Sequence, residues 1–570
     1  MLLHRTSWGL FCTSIILLAA CNSSTEVALE KPEVDSAVSG PLIEESSKPN
    51  ILLILADDLG YTDLGVYGSE INTPNIDQLA RDGLLFTDFH NQAVCGPTRA
   101  AILSGTDSRN AGGAMHQSPN QLGVPGYESY LNQDIVAFPA LLQVGGYQTY
   151  FAGKWHLGKE EHQTPDARGF DRSFALMEGG ASHYSDMRGM FHYLREAGYY
   201  EDGERLTELP SGFYSSDFYT DYIIDSIEQG RSEGDPWFSY LAFTAPHWPL
   251  QAPDEYIEKY DGVYDVGYEV LREQRIARGK ELGVIPSEAK TYPRLEIVEA
   301  WDSLTEEEQR DSSKKMAIYA GMIDSLDENV GRLMDYLEDS GQLDNTLIVF
   351  LSDNGAEGAI RNPGDNGTDW TFDNSYENIG AVGSHVYLNA GWTQASIGVM
   401  KQYKGFSSEG GTRGPAIIYH PEITKGGQIT DAFASVVDLA PTFLEYAGID
   451  HPERGYNGQP LQALQGKSML PLIFEEAESV HPDDFAFGWE VFGHRALRKG
   501  DWKILWLTSQ PSERAQSLAE GADKWGLFDM VNDPGETTDL SEEYPDVMAD
   551  MLNEWDSYMA KNGIVLPIWE

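Results

Sequence analysis

The sequence predicts an α/β protein: a large, mostly parallel sheet with helices on both faces. Three observations predict it. First, Asn50–Ala56 (NILLILA), Trp237–Thr244 (WFSYLAFT) and Asn345–Ser352 (NTLIVFLS) are continuous apolar runs of strand length, the pattern of parallel strands buried on both faces. Second, Met316, Tyr319, Ile323, Leu326, Val330, Leu333 and Leu337 recur at three/four spacing between the last two runs, with Gly341 as a stop, which reads as a helix. Third, 570 residues with a 41% hydrophobic share suit one large α/β domain with a smaller appendage.

From the N-terminus, His4 and Arg5 precede an apolar stretch, Trp8 to Ala20, and Leu18-Ala19-Ala20 precede Cys21. This resembles the lipobox of bacterial lipoproteins. It predicts a signal peptide over 1–21, a lipid anchor at Cys21 and an exported cell-envelope lipoprotein, in the periplasm or outer membrane. Residues 22–48 are polar and acidic, an expected flexible tether. Residues 49–447 form the expected main domain. Within it, 262–312 read as a charged, helical excursion from the sheet, and 353–400 as long loops. Gly, Pro and Asn around 448–460 mark a boundary. Residues 448–570 then predict an α+β subdomain with short β segments at Arg495–Leu507 and Trp525–Met530 and a closing helix from about Pro545 to Lys561.

The formal net charge is −51, from 39 basic and 90 acidic residues. Nucleic acid is excluded as a partner, because phosphate binding needs a basic face. An anionic substrate would be repelled by the global field, so its site has to be locally positive.

Asp57-Asp58 follow the first apolar run and Asp353-Asn354 follow the run at 345–352. Ligands of open α/β sheets bind at the carboxyl ends of strands. Clustered carboxylates there repel unless a cation neutralises them, and oxygen-only ligands suit Ca²⁺ or Mg²⁺. Helix caps and turns are the competing use of these residues. Of three cysteines, only Cys95 lies beyond the leader, in Cys95-Gly-Pro-Thr-Arg99. Pro97 would open a helix with residue 95 at its N-terminus. Lys154 and His156 are two apart and would share a face of a strand. His247 follows the third run, at the same kind of sheet edge. Trp248, Trp392 and Tyr403 are candidate stacking platforms for a sugar or an arene.

Cys95-Gly-Pro-Thr-Arg99 with Gly105 resembles the first signature of type I, formylglycine-dependent sulfatases. Gly146-Tyr-x-Thr-x-x-Ala-Gly-Lys154-Trp-His156 resembles the second. Asp57-Asp58, Pro246-His247-x-Pro249, Asp353-Asn354 and Lys404 fall in the family's order. The resemblance runs from about residue 49 to the C-terminus and is nearest to bacterial arylsulfatases. Ser104 departs from the usual residue before the glycine. The resemblance implies a mixed, mostly parallel sheet of the alkaline-phosphatase/sulfatase type and hydrolysis of sulfate monoesters. It also implies a maturation enzyme that oxidises Cys95 to Cα-formylglycine, whose hydrated aldehyde attacks sulfur. Asp57, Asp58, Asp353 and Asn354, with residue 95, would hold Ca²⁺. Arg99 would stabilise the hydrated aldehyde, Lys154 and Lys404 would bind sulfate, His247 would bind it and protonate the leaving oxygen, and His156 would take the second hydroxyl proton. His183 would line the substrate side and help bind sulfate, a structural loop histidine being the other reading. The substrate would be a sulfated small molecule or glycan. Phosphoester or phosphonate-ester hydrolysis and non-catalytic binding of sulfated glycan are the rival readings.

Overall fold

The computed structural model describes residues 48–191, 194–231, 234–358, 371–423, 426–452, 455, 461–509 and 522–568. The expected signal peptide, the lipid anchor at Cys21 and nearly all of the tether lie outside the described residues.

In chain order the strands are β1 (Asn50–Ala56), β2 (Leu84–Phe86), β3 (Phe89–His90), β4 (Gln148–Lys154), β5 (Arg172–Leu176), β6 (Tyr199–Glu201), β7 (Glu204–Arg205), β8 (Trp237–Ala242), β9 (Thr346–Ser352), β10 (Ala416–Tyr419), β11 (Gln428–Thr430) and β12 (Ala434–Ser435). Four more follow: β13 (Ala486–Val491), β14 (His494–Lys499), β15 (Trp502–Trp506) and β16 (Trp525–Asp529). Ten of them form one sheet in the order β11-β2-β10-β9-β1-β8-β4-β5-β6-β7. The centre, β9-β1-β8-β4-β5, is parallel, while β10 and β6 pair antiparallel with it. The sheet is therefore large, mixed and mostly parallel.

β1 sits at the centre because its sequence offers apolar side chains to both faces, and all seven residues are buried. Leu53 pairs with Tyr240 on one side and Val349 on the other. Truncating such a residue to alanine costs about 2–5 kcal/mol. The two faces of β8 show the layering. Phe238 meets Phe138 of the helix Phe138–Val144 and Phe443 of the helix Leu439–Tyr446. Its neighbour Trp237, which alternation turns to the other face, donates through Nε1 to Gln342, just past the helix Glu306–Asp339.

That helix has 34 residues and starts ten residues before the apolar repeat, at a capping box between Thr305 and Glu308. Its opening turns are polar, so periodicity alone missed them. Gly341, at φ +69°, takes the chain out of it. The 262–312 excursion contains the helix Tyr268–Leu282. The C-terminal strands β13-β14-β15-β16 form an antiparallel sheet, against which the helix Pro545–Lys561 packs through Met551, Trp555 and Tyr558. β13 was not anticipated. Among the described residues, no helix is long and apolar enough to cross a membrane.

Candidate active site

The register of β1 against β9 places Ala56 beside Ser352, so Asp57-Asp58 and Asp353-Asn354 leave the sheet side by side. Backbone bonds fasten the strand ends together. Asp57 N–H donates to the Ala245 carbonyl beyond β8 (3.1 Å), and Asp353 N–H donates to the Ala56 carbonyl (3.0 Å). Asp58 takes a left-handed backbone, φ +71°, and its N–H donates to Asp353 Oδ1 (3.3 Å). Side chains that would alternate along a strand therefore converge. Asp57, Asp58 and Asp353 bring carboxylate oxygens within 4.8 Å of one another.

Cys95 opens the helix Cys95–Ser104, with Val94 as its cap and Pro97 in its first turn. Two side chains from that turn dock it onto the strand ends. Thr98 Oγ1 donates to the Asp353 carbonyl (2.6 Å), and Arg99 binds Asp353 Oδ2 through Nε and Nη2 (3.1 and 2.9 Å) and the Lys154 carbonyl through Nη1. The thiol comes to rest among Asp57 and His247, their ligand atoms lying within 4.8 Å of one another. Burial pushes the Cys95 thiol pKa up, while Lys154 and Lys404 pull against it.

Two buried lysines close the pocket. Lys154 Nζ sits 2.6 Å from Asp57 Oδ2, and Lys404 Nζ sits 2.6 Å from Asp58 Oδ1. Lys404 is held by its own N–H to the Ala356 carbonyl, and Gly405 N–H donates to the Ala93 carbonyl, which joins the Lys404 loop to the cysteine turn. Glu357, 3.9 Å from Lys404, is a further buried carboxylate that motif reading did not single out. Its only sequence signal is its position three residues after Asn354. Burial, with Asp353 adding repulsion, raises the pKa of Asp57; burial also raises that of Asp58 against Lys404. Asp353 goes the other way: burial would raise its pKa, but Arg99, Lys154 and Lys404 outweigh it.

His156 does not share a strand face with Lys154. β4 ends at Lys154, and His156 lies beyond it at φ +58°. His247 Nδ1 donates to the Trp248 carbonyl (2.5 Å), and Nε2 points at Asp58 Oδ2, 3.6 Å away. His183 is corrected from a sulfate ligand to a support behind His247. Its Nε2 donates to the His247 carbonyl (3.0 Å) and its Nδ1 accepts from Ser215 Oγ (2.7 Å), so neither nitrogen is left for substrate. Burial lowers its pKa to about 4, which keeps the ring neutral. Trp392 and Tyr403 are also corrected: both are interior, Trp392 packing edge-on to Tyr264, Tyr268 and Trp301, and Tyr403 to Phe406. Trp248 stays at the site, stacked on His247 and edge-on to Phe191.

A divalent cation fits this donor set. Asp57 Oδ1, Asp58 Oδ2 and Asn354 Oδ1 are buried without a hydrogen-bond partner, while Asn354 Nδ2 is turned away to donate to Asp58 Oδ1 and the Gly355 carbonyl. Every candidate ligand of the strand ends is an oxygen, the preference of a hard ion.

Clustered acidic oxygens ringed by fixed cations, beside imidazoles and an enclosed thiol, suit an enzyme that handles an anionic substrate. Residues 49–449 match the Sulfatase family, and 402–561 match the family described as N-sulphoglucosamine sulphohydrolase, C-terminal. The chain belongs to the sulfatase family and is a sulfate-ester hydrolase. It is 40% identical over 551 residues to an uncharacterized sulfatase of Schizosaccharomyces pombe, covering 91% of this chain and 95% of that one. It is 38% identical over 468 residues to an arylsulfatase of Klebsiella aerogenes, covering 80% and 97%. A crystal structure of Ps i-CgsB in complex with k-i-k-neocarrahexaose superposes with a TM-score of 0.65 at 27% identity, covering 90% of this chain and 94% of that one.

Proposed function

We propose that this chain hydrolyses sulfate monoesters of an aryl or carbohydrate alcohol, with residue 95 acting as formylglycine and Ca²⁺ held by Asp57, Asp58, Asp353 and Asn354. The observation that carries the reading is the meeting of Cys95, Asp57 and His247 within 4.8 Å, beside two buried lysines, Lys154 from the end of β4 and Lys404 from a loop. The converted side chain would supply a hydrated aldehyde oxygen as nucleophile, and the ion would polarise a sulfate oxygen.

The chain's own residues supply the rest. Lys154 and Lys404 neutralise the sulfate oxygens that gain charge as sulfur is attacked. Arg99 holds Asp353 and the Lys154 backbone, and so fixes the nucleophile's helix against the metal side. His247, with its Nδ1 proton committed to Trp248, uses Nε2 to protonate the leaving oxygen. His156 takes the proton whose removal frees sulfate. Trp248 with Phe191 gives the alcohol side an apolar wall that suits a sugar ring or an arene. We further propose export and lipid anchoring at Cys21; a Cys21→Ala chain should then leave the membrane fraction.

The test is sulfate release from 4-nitrophenyl sulfate and from a panel of sulfated sugars, beside 4-nitrophenyl phosphate, with the mass of the Cys95 peptide measured in the same preparation. Cys95→Ala should lose turnover by on the order of 10⁴-fold or more while still binding substrate. Persistent turnover in that variant would overturn the reading, and faster phosphate than sulfate release would reassign the substrate class.

A further inference from the structure

We infer that Gly179 and Gly180 form a side-chain-free clamp that positions the two proton-transferring histidines, Gly179 setting the ring of His156 and Gly180 the ring of His247. The inference rests on the roles proposed above for those rings.

The contacts are unusually close for backbone against imidazole. A methyl group built on Gly179 would lie 2.8 Å from Cε1, 2.9 Å from Nε2 and 3.3 Å from Nδ1 of His156. Neither of the first two distances is tolerable, so with any other residue the ring has to move. On Gly180 the same group would lie 2.7 Å from Met190 Sδ and 3.3 Å from both Cε1 and Nδ1 of His247. The sulfur is the yielding end of a flexible side chain, whereas the His247 ring is tied by Nδ1 to the Trp248 carbonyl. Neither glycine has a left-handed backbone, so conformational freedom does not explain them. What they share is closeness to an imidazole.

The loop that carries the pair is anchored on the same residues. His183 donates to the main-chain carbonyl of His247, and its own N–H donates to Gln251 Oε1 (2.8 Å). Ser182 Oγ donates to the same oxygen (3.1 Å), and Gln251 Nε2 donates to the Ser384 carbonyl (3.0 Å). One five-residue stretch thus touches the His156 ring, the His247 ring and the His247 backbone. It fixes the two rings relative to each other, which neither β4 nor β8 does, since both histidines lie past the strand ends.

The clamp predicts different lesions from two identical methyl groups. Gly180→Ala displaces the proton donor to the leaving oxygen. Its kcat/KM should fall on the order of 100-fold for esters of weakly acidic alcohols and much less for 4-nitrophenyl sulfate, whose leaving group needs little protonation. Gly179→Ala should lower kcat across all esters alike and shift the pH limb set by His156. A double-mutant cycle on unconverted, Cys95-containing protein adds a readout independent of turnover. Gly179→Ala should lower the melting temperature of the wild type, yet have no effect in a His156→Ala background, where no ring remains to displace. Equal melting losses in both backgrounds, or a uniform drop with unchanged leaving-group dependence and pH limb, would overturn the clamp. If the wild type releases no sulfate from any ester, the proposed function fails, and the melting cycle still decides whether Gly179 sets the His156 ring.

Discussion

Two clusters of buried charge in this molecule use the same residue types to opposite ends. One is the pocket of Asp57, Asp58, Asp353, Lys154, Lys404 and Arg99. The other joins the main sheet to the C-terminal sheet through Asp88, His90, Glu409, Arg413, Lys503, Arg498 and Glu536. In the second, Lys503 Nζ of β15 lies 2.7 Å from Glu409 and 2.8 Å from Glu536, and Glu536 accepts from Glu409 N–H (3.0 Å). Burial would raise the pKa of Glu409, but Lys503, His90 and Arg413 hold it well below the usual carboxylate range. The same burial leaves Asp57 raised, and each cluster also has a member that goes the other way, Glu536 raised in the joint and Asp353 lowered in the pocket. His90, Asp88 and Glu409 could by spacing hold a metal, yet protein cations already lie against both carboxylates. Asp88 Oδ1 and Glu536 Oε1 of the joint also lack a hydrogen bond, but a cation lies against each, Arg413 (3.5 Å) and Lys503 (2.8 Å). In the strand-end pocket Lys154 and Lys404 sit on Asp57 Oδ2 and Asp58 Oδ1 and leave Asp57 Oδ1, Asp58 Oδ2 and Asn354 Oδ1 together without a hydrogen bond. The difference teaches how to tell a buried ionic joint from a site: the joint is neutralised from within, and the site awaits something from outside.

Matched lysine substitutions should separate the two most sharply. Lys404→Met should reduce kcat/KM by on the order of 100- to 1,000-fold through loss of a fixed positive charge at the transition state. Lys503→Met should leave the kinetics of the folded enzyme alone but cost about 3–5 kcal/mol in denaturant unfolding, since two carboxylates lose their buried partner. If Lys503→Met instead abolished turnover at full stability, the contrast would collapse.

Metal addition gives the next effect. At 100 times its Kd, Ca²⁺ should stabilise the wild type by about 2.7 kcal/mol. Asp57→Asn should lose most of that gain in a thermal melt while Lys503→Met keeps it. The acid limb of stability is smaller, and the lysine pair isolates the joint's share of it. The folded pKa of Glu409 is depressed, so its contribution is present above the unfolded carboxylate value, about 4.3, and fades as pH falls below it. Urea midpoints measured from pH 6 to pH 3 should fall less steeply in Lys503→Met. The smallest effect concerns Ser104, whose hydroxyl donates to the Ala100 carbonyl one turn earlier (2.7 Å). Ser104→Ala should change stability by about 1 kcal/mol or less, with kcat and KM untouched.

Strand cores and the acidic pairs that follow them were legible because a doubly buried strand has a one-letter pattern and its end has a chemical one. NILLILA followed by Asp-Asp is both at once. The polar first turns of the Glu306–Asp339 helix were not legible, since solvent-facing turns carry no period. β13 hid behind a glycine, Gly488, that packs under Tyr558. Trp392 and Tyr403 were candidate platforms by residue type alone, which says nothing of burial: Trp392 sits in the helix Ala390–Ser396 against Tyr264, Tyr268 and Trp301, and Tyr403 against Phe406. The roles of Glu357, Gly179 and Gly180 depend on neighbours far away in the chain, and no local motif carries such information.

The depth of Cys95 sets a sequence in time. At 5% exposure, and in the first turn of a helix that Thr98 and Arg99 lock onto the finished sheet, its sulfur is enclosed by the folded chain. Under the proposed conversion to formylglycine, the modifying enzyme would have to meet that side chain on a chain still open, before β9 and β4 have closed beneath it. A molecule that completes its fold too early would keep its thiol for the rest of its life.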